Sequence, residues 1–475
     1  MTDTFDTSDK ISRRSLLKGM AASASLALTG CGRIPPAIPL AAPFVPGQPL
    51  PWINWAKNHS CYPTTRLIPH NEAQLVEQLN NAKGTIRAVG SSHAFSALVP
   101  TKDTLLTTDY LSGLIRHDKL TSQAEVWAGT RLHRLGPELE QVGLATQNLP
   151  DMDYPSLAGA IATSTHGTGK QFGSLSTQVT GLTLATVDGR LLNISADKDP
   201  ELFSAARNHL GALGILTRVR LQCQPAYNLT EVSRVEPLEQ MLDELEKRMA
   251  LNRHFELFAL PYSPLGISVT TNEAAPGDVN QGEEDADALN QLRQVFESVA
   301  WIPGVGEPLY AWLLEKAFAG NTPVVRTGAS YKVLAHSRTT RFREMEYSVP
   351  VAAGPACLRK VLKTIKDAKI PACFPIEYRH VKGDDIMLSM YQGRDSAVLS
   401  VHQFGDLDYR PFFNMIEPIF HEFDGRPHWG KIHSLDASQL ARLYPAHWQD
   451  FQAVRESLDP QGRLINPHLH KILGV

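Results

Sequence analysis

Two stretches of small residues and one pair of charges carry the chemistry of this sequence. The first stretch is Arg87-Ala-Val-Gly90-Ser91-Ser92-His93-Ala94-Phe95-Ser96. It reads as a strand running into a tight turn, where Gly90 permits unusual φ and the serines offer hydroxyl and amide donors. Successive backbone N–H groups in such a turn form a nest able to hold a pyrophosphate. The second stretch runs from Pro155 through Ser156, Gly159, Ala162, Thr163, Thr165, His166 and Gly167 to Gly169. Side chains this small let backbone approach a flat ligand closely. Taken singly, each stretch is equally a tight turn in a small-residue core. The charged pair is Glu377 and Arg379, on either side of Tyr378. Period two puts both on one face of a strand, where one acceptor and one fork of donors can grip vicinal hydroxyls. An isolated pair of this spacing is usually a surface ion pair. His402, in the strand-like run Val398–Phe404, reads by itself as structural.

Alternating strand-like and helix-like runs position these residues. Asn71 can cap a helix, with Gln74 three residues on as its capping-box partner and Leu75, Val76 and Leu79 as its apolar stripe. Strands are expected at Thr85–Val89, Glu125–Ala128, Thr180–Val187, Arg190–Ile194 and Ile215–Leu221, and a helix near Leu132–Val142. Asp188-Gly189 is a strong hairpin signal, and Asp199-Pro200 opens a helix with proline in its first turn. Thr270 to Asp287 is acidic and rich in Gly, Asn and Glu, so it reads as a solvated loop or insertion. Mixed strands and helices resume near Glu346 and continue to the end. The fold class is therefore α+β, without a short internal repeat.

Composition excludes several classes. The chain has 475 residues, 43% of them hydrophobic and 20% charged, with 46 basic against 49 acidic residues and a net charge of −3. That length suits two or three domains, and the charge balance argues against a nucleic-acid binder. No run of about 18 uninterrupted apolar residues exists to cross a bilayer. Gly-x-Gly-x-x-Gly after a strand, the P-loop, His-Glu-x-x-His and Gly-x-Ser-x-Gly are all missing; Gly167, Gly169 and Gly173 miss the dinucleotide spacing. Cys61, Cys223, Cys357 and Cys373 match no zinc template, no metal site is expected, and buried free thiols are the expected state.

The N-terminus reads as an address. Arg13-Arg14 precedes a short apolar run ending in Leu28-Thr29-Gly30-Cys31. The paired arginines resemble a twin-arginine export signal, and the last four residues resemble a lipobox whose cysteine is lipidated. Arg33 to Pro51 holds seven prolines, as an extended tether does. The expectation is a membrane-anchored lipoprotein, periplasmic or at the cell surface.

The two loops, in this order, resemble the flavin-binding domain of the vanillyl-alcohol oxidase superfamily. Within it the match is to the sugar-lactone and alditol oxidases, over residues 60 to 225 and again from 345 to 475. Gly90, Ser91, Ser92, His93, Ala94 and Ser96 resemble the first pyrophosphate loop, with His93 at the position of a covalent flavin link. Ser156, Gly159, Ala162, Thr163, Thr165, His166, Gly167 and Gly169 resemble the second loop, and Gly214-Ile215 the turn and strand closing the FAD domain. Glu377 and Arg379 match a Glu-x-Arg substrate pair, and His428-Trp429-Gly430-Lys431 a His-Trp-Gly-Lys signature. Asp459-Pro-Gln-Gly-Arg-Leu-Ile-Asn466 resembles a closing run of such oxidases.

The resemblance implies FAD, linked through His93, and oxidation of a sugar-derived alcohol or aldonolactone with hydride transfer to the flavin. Glu377 and Ser156 would hold hydroxyls. Arg379, Lys431 and His402 would hold or accept the proton, and Lys431 would also stabilise negative charge on the flavin. Pro155, next to Ser156, occupies a position that can affect oxygen access. The acceptor is either oxygen, giving peroxide, or a membrane carrier; a non-catalytic sugar- or partner-binding lipoprotein is the alternative of another class. Ala94 departs from relatives that carry serine there. The implied organisation is a signal over 1–31, a tether over 32–58, a PCMH-type FAD domain over 59–228 and an α+β substrate (cap) domain over 229–420 with an insertion near 270–330. The last segment, 421–475, returns to the flavin.

Overall fold

The computed structural model describes residues 42–275, 277, 279–280, 288–300, 302, 304–318, 322–336 and 340–475. The paired arginines and Cys31 lie outside the described residues. Three sheets build the site. A small parallel sheet places Thr104–Thr107 between Thr65–Leu67 and Ile86–Val89. An antiparallel sheet of five strands runs Leu191–Ile194, Val179–Ala185, Ile215–Gln222, Gln123–Trp127, Leu114–Asp118. An eight-stranded antiparallel sheet runs from Val324–Ala329 at one edge to Arg426–Pro427 at the other.

Local chemistry accounts for many of these elements. The Asn71 side chain accepts from the Gln74 amide at 2.9 Å and starts the helix Glu72–Asn81. The Gln74 side chain reaches back one residue further than a capping box requires, to the His70 amide. The turn between Val179–Ala185 and Leu191–Ile194 contains Gly189 at φ +80°, as Asp-Gly predicts. Asp199 caps Pro200–Ala206. Leu132–Gln141 buries Leu132, Leu135 and Leu139 at helical spacing against the five-stranded sheet, where Val126 and Val219 are fully buried.

Three expectations about organisation change. The tether does not extend to residue 58. Trp52–Ile53 pairs with Ser60–Cys61, and buried Asn54 bonds to Asn58, His59 and the Ala94 carbonyl. The acidic stretch beginning at Thr270 is not all loop, because Thr270 to Ala274 complete the strand Leu265–Ala274. The middle region is more than an insertion: Val324–Ala329 forms the edge of the large sheet, and the helices Ala288–Val299 and Gly306–Phe318 pack their Leu292, Val295, Phe296, Tyr310 and Leu314 into a second apolar cluster.

The C-terminal segment ties the parts together. The Asp459 carboxylate accepts from the Arg463 and Leu464 amides, and the Arg463 carbonyl accepts from the Ile86 amide at 2.7 Å. Asn466 caps Pro467–Leu473 and donates to carbonyls of Ala97, Leu98 and Pro100. Buried Arg87 donates to the carbonyls of Leu98, Leu210, Gly211 and Leu464. One guanidinium thus ties its own strand to three other chain segments, at Leu98, Leu210-Gly211 and Leu464. Cys223, Cys357 and Cys373 are buried free thiols, and burial pushes each up to about 12.

Candidate active site

A cavity of about 480 Å³ opens between the two small sheets and the face of the large one. The strand Ile86–Val89 delivers its first wall. Gly90 is required there for closeness: a Cβ would stand 2.2 Å from the Ser156 hydroxyl of the second loop. The unusual φ falls instead on Ser92, at +61°. Trp52 donates to the Ser92 hydroxyl, Trp55 to the Ser92 carbonyl, and Ser91 to the Tyr154 carbonyl. The amides of Ser91, Ser92, His93 and Ala94 have no acceptor among the described residues. A run of unspent donors on a cavity wall is what an anionic group needs.

His93 stacks between Trp55 and Tyr154, at centroid distances of 5.3 and 5.7 Å. Burial, then Lys431 and Arg131, lowers its pKa to about 4, so the ring is neutral at pH 7. Its Nδ1 is buried and has no hydrogen-bond partner among the described residues.

The second loop begins where Ser156 caps the short helix Leu157–Ala162, accepting from the Gly159 amide at 3.2 Å. Thr163 and Thr165 follow on the cavity wall. His166 is fixed at both nitrogens, by the Gly167 carbonyl at 2.7 Å and Glu346 at 2.9 Å. It orders the junction between loop and large sheet.

The large sheet supplies the polar floor through period-two rows. Glu377 and Arg379 stand on Ile376–Val381, His402 on Ser396–Phe404, Glu344 and Glu346 on Phe342–Pro350, and Glu256 on His254–Ala259. Arg379 is ion-paired to Glu377, donates to Glu256 at 2.6 Å and lies 3.9 Å from Asp151. Lys431 is ion-paired to Glu344, which lies 3.5 Å from His402 Nε2. Ligand atoms of Glu344, Glu377 and His402 all fall within 4.8 Å of one another. Such a group can hold a cation, but Lys431 and Arg379 already neutralise its carboxylates. Phe374 stacks on His402 at 4.7 Å and closes that side.

Charge states follow from this crowding. Burial opposes the charge on Arg379, but Glu377, Glu256 and Asp151 outweigh it and hold the guanidinium protonated. Lys431 likewise is held above its ordinary value by Glu344 and Glu346 against the effect of burial. Burial raises Glu377 to about 7; Arg379 pulls it down, while Glu256 and Asp151 push it up. One guanidinium shared among three carboxylates cannot fully ionise them all. The expected division of labour therefore shifts. Arg379 and Lys431 stay cationic, and Glu377 is the group able to exchange a proton near neutrality.

Among the expected cofactor residues, Gly90, Ser91, Ser92, His93, Ala94, Ser156, Gly159, Ala162, Thr163, Thr165, His166, Gly214, Ile215 and Lys431 line the cavity. Glu377, Arg379 and His402 line it too. Ser96, Gly167 and Gly169 do not. Ser96 turns inward to donate to the Trp429 carbonyl at 2.6 Å. Gly167 packs so tightly that a Cβ would meet the Leu149 carbonyl at 2.3 Å, and Gly169 bridges to Val381. Glu344, Glu346, Glu256, Asp151 and His336 were not anticipated. Glu344-Met345-Glu346 carries the same period-two signal as Glu377 and Arg379 and was there to be read. Asp151 and His336 come from loops, where no periodicity marks them.

The residues fit FAD. The donor-rich turn at Ser91–Ala94 suits a pyrophosphate, the small-residue wall from Ser156 to Thr165 admits a flat ring system, and Lys431 reaches the same cavity from the floor. Comparisons with known proteins agree. Residues 63–195 match the FAD binding domain family and residues 219–472 the D-arabinono-1,4-lactone oxidase family. The L-gulono-1,4-lactone dehydrogenase of Mycobacterium tuberculosis is 34% identical over 437 residues, covering 89% of this chain and 99% of that protein. The L-gulonolactone oxidase of Mus musculus is 30% identical over 440 residues, covering 88% and 97%. Among solved structures, cholesterol oxidase from Brevibacterium sterolicum superposes with a TM-score of 0.72 at 18% identity, covering 93% of this chain and 100% of that one, which speaks for the fold. With more than half its length matched by one family model and close to its whole length by the relatives, this chain belongs to the D-arabinono-1,4-lactone oxidase family and is an FAD-dependent oxidoreductase acting on a CH–OH donor.

Proposed function

We propose that the protein oxidises a ring hydroxyl of an aldonolactone and passes the electrons to oxygen, releasing hydrogen peroxide. The observation that carries this reading is one continuous cavity, running from the unspent amides of Ser91–Ala94 to the buried pairs Glu377–Arg379 and Glu344–Lys431. Bound FAD would supply the two-electron acceptor for the hydride leaving the carbinol carbon. The chain's own residues do the rest. Arg379 and Lys431 orient the hydroxyls, Ser156 meets them from the second loop, and ionised Glu377 takes the hydroxyl proton. Phe374 and Phe342, both buried, pack on His402 and keep water from that end. Fixed charges in a dry site cost no reorganisation during the reaction.

His93 carries the flavin covalently in this reading, supported by its neutral ring and its unpartnered Nδ1 on the cavity wall. The chain is exported through Arg13-Arg14 and held at a membrane by a lipid on Cys31, a reading supported by the sequence alone. Oxygen uptake with arabinono- and gulono-1,4-lactones, read beside peroxide, tests the reaction. One peroxide per lactone consumed is the expected result. Turnover with a membrane electron carrier and no peroxide replaces the oxidase by a dehydrogenase. Fractionation of Cys31→Ser cells tests the anchor: the protein should leave the membrane fraction.

A further inference from the structure

The polar floor accounts for only part of the cavity. Sheet register carries the rest of the lining away from it in one direction. Phe258 lies directly opposite Glu377, and Ile267 directly opposite Phe258. Adjacent strands are about 4.8 Å apart, so one strand from Glu377 the lining carries Phe258 beside Glu256, and at the second strand it is apolar at Ile267 and Val269. Val269, next to Ile267 on the same strand face, continues this wall. Leu289 and Leu292, on the helix Ala288–Val299, line the same cavity, and Leu292 belongs to the same apolar cluster as Phe374. Among the described residues, the hydroxyls of Ser233 and Thr340 interrupt an apolar lining there.

A plain aldonolactone offers this annex nothing. Its hydroxyls need hydrogen-bond partners, and the charged ones stand on the floor, while among the described residues the annex offers only the hydroxyls of Ser233 and Thr340. We infer that the annex is a subsite for an apolar substituent on the substrate, so that the lactone oxidised carries an alkyl or comparable apolar arm on a hydroxyl remote from the reacting carbon. This rests on the lactone reading above and adds a substrate class to it. The register argues for a substrate arm over an apolar electron acceptor. The annex adjoins the carboxylate that meets the reacting hydroxyl, so it is filled together with the floor. An acceptor would need it only after the product has left.

The test is anaerobic flavin reduction in the full-length holoprotein by arabinono-1,4-lactone and its exocyclic O-alkyl ethers of one to six carbons. Without oxygen or another acceptor, the reductive half-reaction alone is read. Burial of each methylene is expected to raise the apparent second-order rate of reduction about fourfold until the annex is full. Ile267→Thr and Leu289→Asn are each expected to lower the gain per methylene, measured against the unsubstituted lactone on the same variant. That slope is internal to each protein and does not depend on how well the variant folds. A rate independent of chain length, or falling with it, overturns the inference and leaves the lactone reading standing. Chain-length dependence found only for alkyl quinones in the oxidative half-reaction also overturns it, in favour of an acceptor site. No reduction by any lactone, plain or alkylated, overturns both.

Discussion

Glu377 is the residue on which the proposed chemistry turns. Its carboxyl sits near pH 7 because burial and two further carboxylates outweigh one shared guanidinium. In the proposed reaction the ionised form accepts the hydroxyl proton, so turnover should rise with pH through about 7 and level off above it. Glu377→Gln should lower kcat by about 10²–10⁴-fold and abolish that rise, as a pH–rate profile would show. His336 acts one step further out. It lies 2.6 Å from Asp151 and 3.2 Å from Glu231, and although burial opposes its charge, those carboxylates raise it to about 10. The charge on His336 offsets that of Asp151, which also lies 3.9 Å from Arg379. His336→Gln should therefore draw Arg379 toward Asp151 and move the half-maximal pH of turnover upward by about one unit, while His336→Lys restores it. An unmoved profile would make His336 purely structural. Glu377 and Arg379 were legible because one strand period puts them on one face and the family pair names them. His336 and Asp151 were not, because the contact joins two loops 185 positions apart and nothing local encodes it.

Elements decide whether these residues arrive in place. The segment Trp52–His59 holds the first flavin loop from beneath. Asn54 is its centre, donating to Asn58 and the Ala94 carbonyl and accepting from the Asn58 and His59 amides. Asn54→Leu would leave buried donors and acceptors unmet at about 1–3 kcal/mol each. The expected outcome is a denaturation midpoint shifted down, with flavin fluorescence appearing before the global transition. Coincident transitions would mean that the shelf does not support the loop. Proline content explains why this segment read as tether. Composition resolves a stretch only on average, and it missed two tryptophans and an asparagine that anchor the end of it. Helix caps and the Asp188-Gly189 turn were readable because their causes are local. The edge strand Val324–Ala329 was not, because its partner Asn228–Pro237 lies far away in sequence.

At the scale of the whole molecule, the C-terminal segment and Arg87 join the parallel sheet to the chain's end, and buried histidines set the pH range over which the assembly holds. Burial is the largest cause lowering His93, His254, His380 and His428 to about 4 and His209 and His433 to about 3. A folded-state pKa below the unfolded value of about 6.5 gives stability that is complete above pH 6.5 and lost as pH falls through 4. Thermal melts should show a shallow loss of Tm as pH rises from about 7 to 8, where His336, raised to about 10, acts in the opposite sense, and a steep fall as pH drops between about 6 and 4. A flat Tm across that range would mean that these rings already charge in the fold. The two-lobed α+β plan was legible from loop order and family resemblance. The order of eight strands in the large sheet was not, since strand order is set by long-range pairing.

The most direct test of the central claim joins the cradle to the floor. Acid precipitation of the purified protein, with and without His93→Ala, should leave flavin in the wild-type pellet and release it from the variant. Anaerobic addition of arabinono-1,4-lactone to the wild-type holoprotein should then bleach the flavin absorbance, and Glu377→Gln should slow that bleaching by the same factor that it lowers kcat. Flavin that binds and is not bleached by any aldonolactone would contradict the account, because the cavity would then join a cofactor site to a floor that does not oxidise this class of substrate.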